Sequence, residues 1–165
     1  MPAVALPASE LVTTQGVVQI DRAAPADLPA MAGLLAVLFA QESEFTPDPA
    51  VQARGLALIL EQPGAGLLLV ARVEGTVVGM VNLLYTVSTA LGAKVAVLED
   101  VVVAPDHRNQ GVGSLLLRAA LDEVVAAGCK RVTLATDAHN LGAQRLYQRL
   151  GFELSSMRLL RWFAP

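Results

Sequence analysis

The sequence predicts an α/β domain in which a mixed central β-sheet is covered by helices on both faces. The chain has 165 residues, of which 54% are hydrophobic and 16% are charged, a composition typical of a sheet with buried central strands. Apolar, β-branched runs alternate with segments of helical periodicity. One pair of runs is joined only by Glu74-Gly75, a hairpin signal, and another pair flanks a long helix. Antiparallel and parallel neighbours are therefore expected in one sheet.

The N-terminal half predicts one strand and two helices before the hairpin. Residues 1–16 are rich in Ala, Pro, Thr and Ser without periodicity, and we interpret them as a loose leader before a single domain at 17–165. Pro25 and Asp27 mark the first turn of a helix. The predicted elements are a strand at 17–20, helices at 24–40 and 49–62, and strands at 67–73 and 76–86.

The C-terminal half predicts strands and helices in alternation. Gly128 and Gly151 stand where two helices should end, because glycine adopts the left-handed conformation that closes a helix. Within the unit 94–136, the two strands that flank the helix should be parallel and joined by a right-handed crossover. The predicted elements are strands at 94–103, 131–136 and 156–163, and helices at 111–127 and 140–150.

Composition excludes several classes of partner. The net charge of −3 argues against a nucleic-acid binder, which should carry a basic excess. A single cysteine, Cys129, cannot form an internal disulfide, and His107 and His139 lack metal-ligand spacing. Residues 76–93 are uncharged but interrupted by polar residues, so we interpret them as a buried strand and loop rather than a membrane span. With no secretory signal pattern, we expect a cytoplasmic protein without metal or membrane partners.

The segment Val101–Ser114 is the most informative of the chain. An apolar strand stops at Pro105, and Arg108-x-x-Gly111-x-Gly113 leads into a helix. Free N–H groups at a helix N-terminus favour phosphate, and glycine lets the anion approach the backbone. The order of the glycines differs from the dinucleotide fingerprint, and no lysine follows as in a Walker loop. We therefore expect a phosphate or pyrophosphate site, the alternative being a glycine-rich helix start without a ligand.

Two motifs together resemble the GNAT (GCN5-related) N-acetyltransferase superfamily. The first is the Arg108 loop after a strand that ends Val-x-Val-x-Pro. The second is the segment 140–152, which is similar to the family's N-x-x-A-x-x-x-Y-x-x-x-G-F ending. The order of elements from Val17 onward also matches. The resemblance implies the GNAT acyl-CoA N-acyltransferase fold. Acetyl-CoA would be the co-substrate and would lie in a cleft between the strand that ends at Val103 and the strand that starts near Arg131, two parallel strands that splay apart.

The resemblance also implies which residues contact acetyl-CoA. Backbone groups of the strand end would pair with the pantetheine arm as an added strand. The loop N–H groups would bind the pyrophosphate, and Arg108 would add charge. Asn140 would contact the pantetheine, the alternative being a helix cap alone. The expected contacts are Val101, Val102, Val103, Arg108, Asn109, Gln110, Gly111, Val112, Gly113, Ser114, Asn140, Ala143 and Tyr147.

Acetyl transfer to a primary amine by direct attack is the implied reaction, and it needs an acid and a base. Tyr147 would protonate the leaving thiolate, the alternative being a packing role only. Glu99 and Asp100 are adjacent on a strand and should face opposite sides of the sheet. We expect Glu99, on the face of Val101 and Val103, to be the base directly or through water, with Asp100 as the second candidate. Either carboxylate could instead be an ion-pair partner.

The acceptor is indicated only by charge. Glu42, Glu44, Phe45 and Asp48 lie in a loop beside the expected acceptor cleft, and such a cluster of acids concentrates cations. We therefore expect a small cationic amine, the alternative being a solvated loop. Arg158, Arg161 and Trp162 are expected on the other side. A non-catalytic acyl-CoA-binding sensor or interaction module is the alternative function, an acyltransferase with a longer acyl group is a third, and a homodimer through the final strand stays open.

Overall fold

One mixed sheet organises the molecule in the computed structural model, which describes residues 10–42 and 44–165. Six strands lie side by side in chain order. All neighbouring pairs are antiparallel except the last, which is parallel. The elements are β1 (Leu11–Thr13), β2 (Gly16–Arg22), α1 (Leu28–Phe39), α2 (Pro49–Leu60), β3 (Gly66–Val73), β4 (Thr76–Ser88), β5 (Ala93–Val103), α3 (Val112–Ala126), β6 (Val132–Leu134) and α4 (Leu141–Arg149).

Helices cover both faces of the sheet, as the sequence predicted. On one face, α3 and α4 bury Leu116 and Tyr147 against Leu83 and Leu98. On the other face, the first two helices bury a second set against the same strands, with Met31, Leu56, Met80 and Val102 at its centre. No helix in the described part of the chain is long and apolar enough to cross a membrane.

Local backbone geometry explains where two elements turn or stop. Glu74 and Gly75 have φ of 49° and 81°, the pair of positive values that a tight type I′ hairpin needs. Gly128 ends α3 with φ of 85°, and the Cys129 N–H then donates to the Val124 carbonyl at 2.9 Å, the Schellman pattern. Cys129 is buried, and burial raises the pKa of its thiol. It fills space as a small apolar residue.

A partly buried ion pair links Asp27, at the start of α1, to Arg72 on β3. Both Arg72 terminal nitrogens donate to the Asp27 carboxylate, at 2.8 and 2.7 Å. Asp27 also accepts from the Ala24 N–H at 2.8 Å, and Arg72 reaches Asp21 at 3.0 Å. Chiefly because of the hydrogen bonds from Arg72, the pKa of Asp27 is lowered.

Two sequence expectations differ from the structure at the chain ends. The stretch expected to be a loose leader contains β1, in which Leu11 lies opposite Val18, so a hairpin crosses the boundary expected at residue 17; residues 1–9 lie outside the described part. The strand expected at 156–163 is wrong: this segment has no regular structure and exposes Met157, Leu160 and Trp162. Its apolar residues fall on both parities of a two-residue repeat, so no single sheet face is specified.

Candidate active site

The parallel strands β5 and β6 are paired over only a short length. Three pairs join them: Ala96 with Val132, Val97 with Thr133, and Leu98 with Leu134. β6 ends at Leu134, whereas β5 continues to Val103. The last part of β5 therefore has β4 on one side and no strand on the other, and its outward backbone groups need another partner.

The ladder register determines which backbone groups face this opening. Ala104 donates its N–H to the Val78 carbonyl at 2.8 Å, and the register places Val102 opposite Met80. Because alternate residues of an antiparallel strand bond to the same neighbour, Val102 is bonded to β4, and Val101 and Val103 face the opening. The backbone groups of Val102 are therefore directed toward β4, and its side chain lies in the core beneath α1 and α2.

The glycine loop turns sharply into α3. Arg108 fastens the loop to the strand, because its Nε donates to the Val103 carbonyl at 2.9 Å. Asn109 and Gly111 have positive φ of 59° and 87°, and Gly111 is the N-cap of α3. The first N–H that bonds back within α3 is that of Leu115, which donates to Gly111 at 3.0 Å. The N–H groups before it point out of the helix end, where they can bind an anion.

Packing within the chain does not require a glycine at position 113, the other glycine of the loop. A Cβ built on Gly113 would meet Leu146 at 3.6 Å and Val103 at 3.7 Å, both ordinary contact distances. The described chain therefore has room for alanine at this helical position, although glycine is less favourable there. A ligand that approaches the backbone closely would explain the glycine. Gln110 differs from the rest of the loop, because its side chain accepts a hydrogen bond from the Thr14 hydroxyl at 2.9 Å.

Helix α4 presents the second motif. The Asn140 side chain caps the helix by accepting from the Ala143 N–H at 3.2 Å. Tyr147 lies buried on the inward face with only 8% exposure, in the core cluster against which Val101 and Val103 of β5 also pack. Burial, with a smaller contribution from the charge of Glu42, raises the pKa of Tyr147 to about 12. The phenol therefore keeps its proton at neutral pH.

A β-bulge separates the two candidate bases. Asn82 lies opposite Asp100 and Leu83 opposite Leu98, so Glu99 has no partner on β4. A bulge interrupts the alternation of side chains, on which the expected face of Glu99 depended. Glu99 is exposed and Asp100 is half-buried. Burial raises the pKa of Asp100, which the hydrogen bond from Asn82 lowers and the charge of Glu99 raises.

Glu42 feels the charges of three other carboxylates, Asp100, Asp137 and Glu44; we call these four residues the acidic cluster. Burial is the main reason that the pKa of Glu42 is raised, and the charges of Asp137 and Asp100 raise it further. Glu42, from the loop after α1, is thus linked to Asp100 and to Tyr147 through the effect of charge on their pKa values. Asp137 was not predicted from the sequence, although it follows the strand that splays from β5.

The C-terminal segment meets the loop at the edge of this cluster. Arg161 forms an ion pair with Glu44 and places its guanidinium 5.4 Å from the centroid of the Phe45 ring. Phe45 in turn lies 5.4 Å from Phe39 between centroids. The predicted acid Asp48 is instead the N-cap of α2, accepting from Ala50 and Val51 N–H groups at 3.1 and 3.3 Å. Within the described residues, no group of three His, Cys, Asp or Glu side chains could hold a metal ion.

Comparison with known proteins indicates the same family as the two sequence motifs. A model of the acetyltransferase (GNAT) family matches residues 33–152. The chain is 33% identical over 125 residues to the uncharacterized N-acetyltransferase YhfO of Bacillus subtilis, covering 74% of this chain and 83% of that protein. It is 32% identical over 107 residues to the aminoalkylphosphonate N-acetyltransferase of Salmonella typhimurium, covering 65% and 69%. The crystal structure of a transcriptional regulator from Bacillus halodurans C-125 superposes with a TM-score of 0.76 at 31% identity, covering 88% and 99%.

Proposed function

Because this chain belongs to the GNAT acetyltransferase family, we propose that it transfers an acetyl group from acetyl-CoA to a primary amine by direct attack. The observation that carries the proposal is the presence of four features in this fold: the unpaired edge of β5, the N-terminus of α3, the phenol of Tyr147 and the carboxylate of Asp100. A binding module would need only the first two features. The chemistry needs all four.

Acetyl-CoA binding is supported by the backbone geometry. The outward groups of Val101 and Val103 suit the amides of a pantetheine arm, which would add to β5 as a strand. Of these groups, the Val103 carbonyl accepts from Arg108, so Arg108 also positions the loop. The pyrophosphate would then meet the free N–H groups of Val112, Gly113 and Ser114 at the positive end of α3. When bound, acetyl-CoA supplies the activated acyl group.

Asp100 is the base that we propose, with Glu99 as the alternative through water. An amine arrives protonated at neutral pH, so a proton must pass from its nitrogen to a carboxylate oxygen before attack. The half-buried Asp100, whose pKa is raised, is the better proton acceptor of the two. The amine nitrogen then bonds to the acetyl carbon, the carbon–sulfur bond breaks, and the electron pair leaves on sulfur. Tyr147 would protonate that sulfur, and the second proton that the acetylated nitrogen loses would restore the phenol through solvent.

A small cationic amine is the acceptor that the acidic cluster favours. The cluster attracts positive charge, and walls such as Phe39 and Phe45 strengthen that attraction by excluding water. The position of Arg161 against Glu44 and the Phe45 ring supports a cation at this edge. The Salmonella relative is named for an aminoalkylphosphonate, which carries an anionic group. The acids of this chain favour an acceptor that lacks one.

The test is release of free thiol from acetyl-CoA in the presence of a panel of amines. The panel contains diamines, polyamines, amino acids, an aminoalkylphosphonate and short peptides, and is repeated with longer acyl-CoA donors. We expect thiol release with acetyl-CoA and a cationic amine. Tight binding of acetyl-CoA without thiol release from any amine would instead favour a non-catalytic sensor. Faster thiol release from a longer acyl-CoA would mean that the preferred donor carries an acyl group longer than acetyl.

Two variants then separate the candidate bases. Asp100→Asn should abolish the acidic limb of the pH–rate profile together with most of the activity. Glu99→Gln should keep that limb, because the proposed base is intact. The reverse result would assign the base to Glu99.

A further inference from the structure

Asn82 is a buried polar residue in the middle of β4. Its exposure is 6%, and it lies between Leu68 on β3 and Asp100 on β5. Its Nδ2 donates to Asp100 Oδ2 at 3.0 Å. Its Oδ1 is fully buried and has no hydrogen-bond partner among the described residues.

The fold alone does not account for an asparagine here. Leaving a buried acceptor without a partner costs free energy, whereas an apolar side chain of similar shape costs none. The neighbouring buried residues Leu68, Met80 and Val102 are all apolar. The contact with Asp100 is the one interaction of the Asn82 side chain that such a substitution would remove.

We propose that Asn82 is a positioning residue for acetyl transfer, whose amide holds the carboxylate of Asp100 toward the acceptor. This inference rests on the proposed function, in which Asp100 is the base. A carboxylate that accepts one hydrogen bond through a fixed oxygen keeps its second oxygen in a defined place. Proton transfer depends on that placement within hydrogen-bond reach of the amine.

The amide also adjusts the charge state of Asp100. Burial and the charge of Glu99 raise the pKa of Asp100, and the Asn82 hydrogen bond opposes them. Glu42 also interacts with the Asp100 charge, and Asp137 and Arg161 act on Glu42. Helix α1 adds no charged side chain. Asn82 thus supplies a short-range donor that favours the ionised base within an acidic environment.

The experiment compares the pH dependence of kcat/KM for the acceptor in the wild type and in Asn82→Leu. Loss of the Asn82 hydrogen bond to Asp100 should move the acidic limb of the pH–rate profile to higher pH. It should also lower kcat by about tenfold at neutral pH. Part of that loss should be recovered as the pH rises, and the KM for acetyl-CoA should stay unchanged. Thermal unfolding should occur at the wild-type temperature or above, because the unpaired oxygen is gone.

Ser88→Ala is the matched control, because Ser88 is another buried polar residue of β4 whose Oγ accepts from the Leu91 N–H at 3.3 Å. Its pH profile should equal that of the wild type. Should Asn82→Leu fail to fold, Asn82→Asp keeps the shape and should move the limb further, because a second carboxylate opposes ionisation of the first.

The outcomes distinguish this inference from the function on which it rests. If Asp100→Asn loses activity but the Asn82 variants keep the wild-type limb, the positioning role is wrong and the base stands. If Asp100→Asn keeps wild-type activity and limb, the assignment of the base is wrong, and the role of Asn82 falls with it.

Discussion

Phe152 contacts Tyr147 both through its backbone and through its ring. Its N–H donates to the Tyr147 carbonyl at 3.0 Å, and its ring meets the Tyr147 ring edge-on with 5.7 Å between centroids. Gly151, with φ of 92°, makes the turn that brings Phe152 back. The glycine and phenylalanine that end the second motif therefore hold the tyrosine in place, and its hydroxyl can be removed without loss of the ring contacts.

Tyr147→Phe should lower kcat about a hundredfold, the lower range of general acid catalysis. Its KM for acetyl-CoA and its unfolding temperature should change little, because the ring stays packed. Tyr85→Phe is the matched control, since Tyr85 is the other tyrosine and lies under the Lys94 ammonium at 4.9 Å. Steady-state kinetics check the expectation. Equal turnover in Tyr147→Phe and wild type would leave Tyr147 as a core residue.

Gly113→Ala should stabilise the protein and weaken acetyl-CoA binding. Alanine in a helix is favoured over glycine by about 0.5–1 kcal/mol, and the chain has room for its Cβ. A methyl group there would hold a phosphate away from the backbone. Gly33→Ala in α1, where a Cβ meets nothing within 4 Å, should stabilise without affecting the KM for acetyl-CoA. Thermal unfolding and KM measure the two effects, and an unchanged KM in Gly113→Ala would exclude close approach of the ligand.

Replacing Glu42 and Glu44 together by Gln should raise the KM of a cationic acceptor and leave that of acetyl-CoA unchanged. The wild-type KM should also rise with ionic strength, whereas the double variant should respond less, because salt screens the attraction of the acids. Glu61→Gln, at the end of α2, is the control for a surface carboxylate. If the double variant keeps the wild-type KM for the acceptor, Glu42 and Glu44 are solvated surface groups without a role in acceptor binding.

Asp27→Ala should destabilise the protein by about 2 kcal/mol, because the hydrogen bonds that its carboxylate accepts from Arg72 and from the Ala24 N–H are lost. The lowered pKa of Asp27 sets the pH dependence. The contribution of its ionised form is present above its unfolded-state pKa and is lost as the pH falls through the folded-state value. Denaturant unfolding should therefore show a smaller difference between variant and wild type in acid. Asp21→Ala is the control, and its side chain is 51% exposed, so its effect should be much smaller. Equal losses in both variants would contradict the partly buried pair.

Asp100→Asn should raise the unfolding temperature near neutral pH while removing activity. The pKa of Asp100 is raised, so its contribution to stability is present below its unfolded-state pKa and diminishes as the pH rises through the folded-state value. Asparagine stays neutral throughout. The advantage of the variant should therefore disappear in acid. A variant that is less stable than wild type at every pH would indicate that the carboxylate is stabilising.

The sequence predicts the sheet and the two motifs because those features are local. Glu74-Gly75 specifies its hairpin through the φ values of two adjacent residues, and Asn140 caps a helix that starts beside it. Tyr147 lies on the inward face of α4 at the spacing that its amphipathic pattern predicts. Each of these depends on a few neighbouring residues.

The parts that the sequence does not predict depend on pairing between distant segments. The bulge at Glu99 exists only relative to the register of β4, and no feature of the run from Lys94 to Val103 signals it. The bond between Asn82 and Asp100 requires that register. The meeting of Arg161 with Glu44 joins two segments without regular structure, for which no periodicity exists to interpret.

The short pairing of β5 with β6 also has a consequence for solubility. An unpaired strand edge is a template on which other chains can add, and proteins protect such edges. Here the edge lies beyond the last residue paired with β6 and belongs to Val101 and Val103. Whatever completes that edge shields it and stabilises the folded state in proportion to the logarithm of its concentration. Resistance to aggregation on heating should therefore rise with added acetyl-CoA, because the proposed co-substrate would cover this edge.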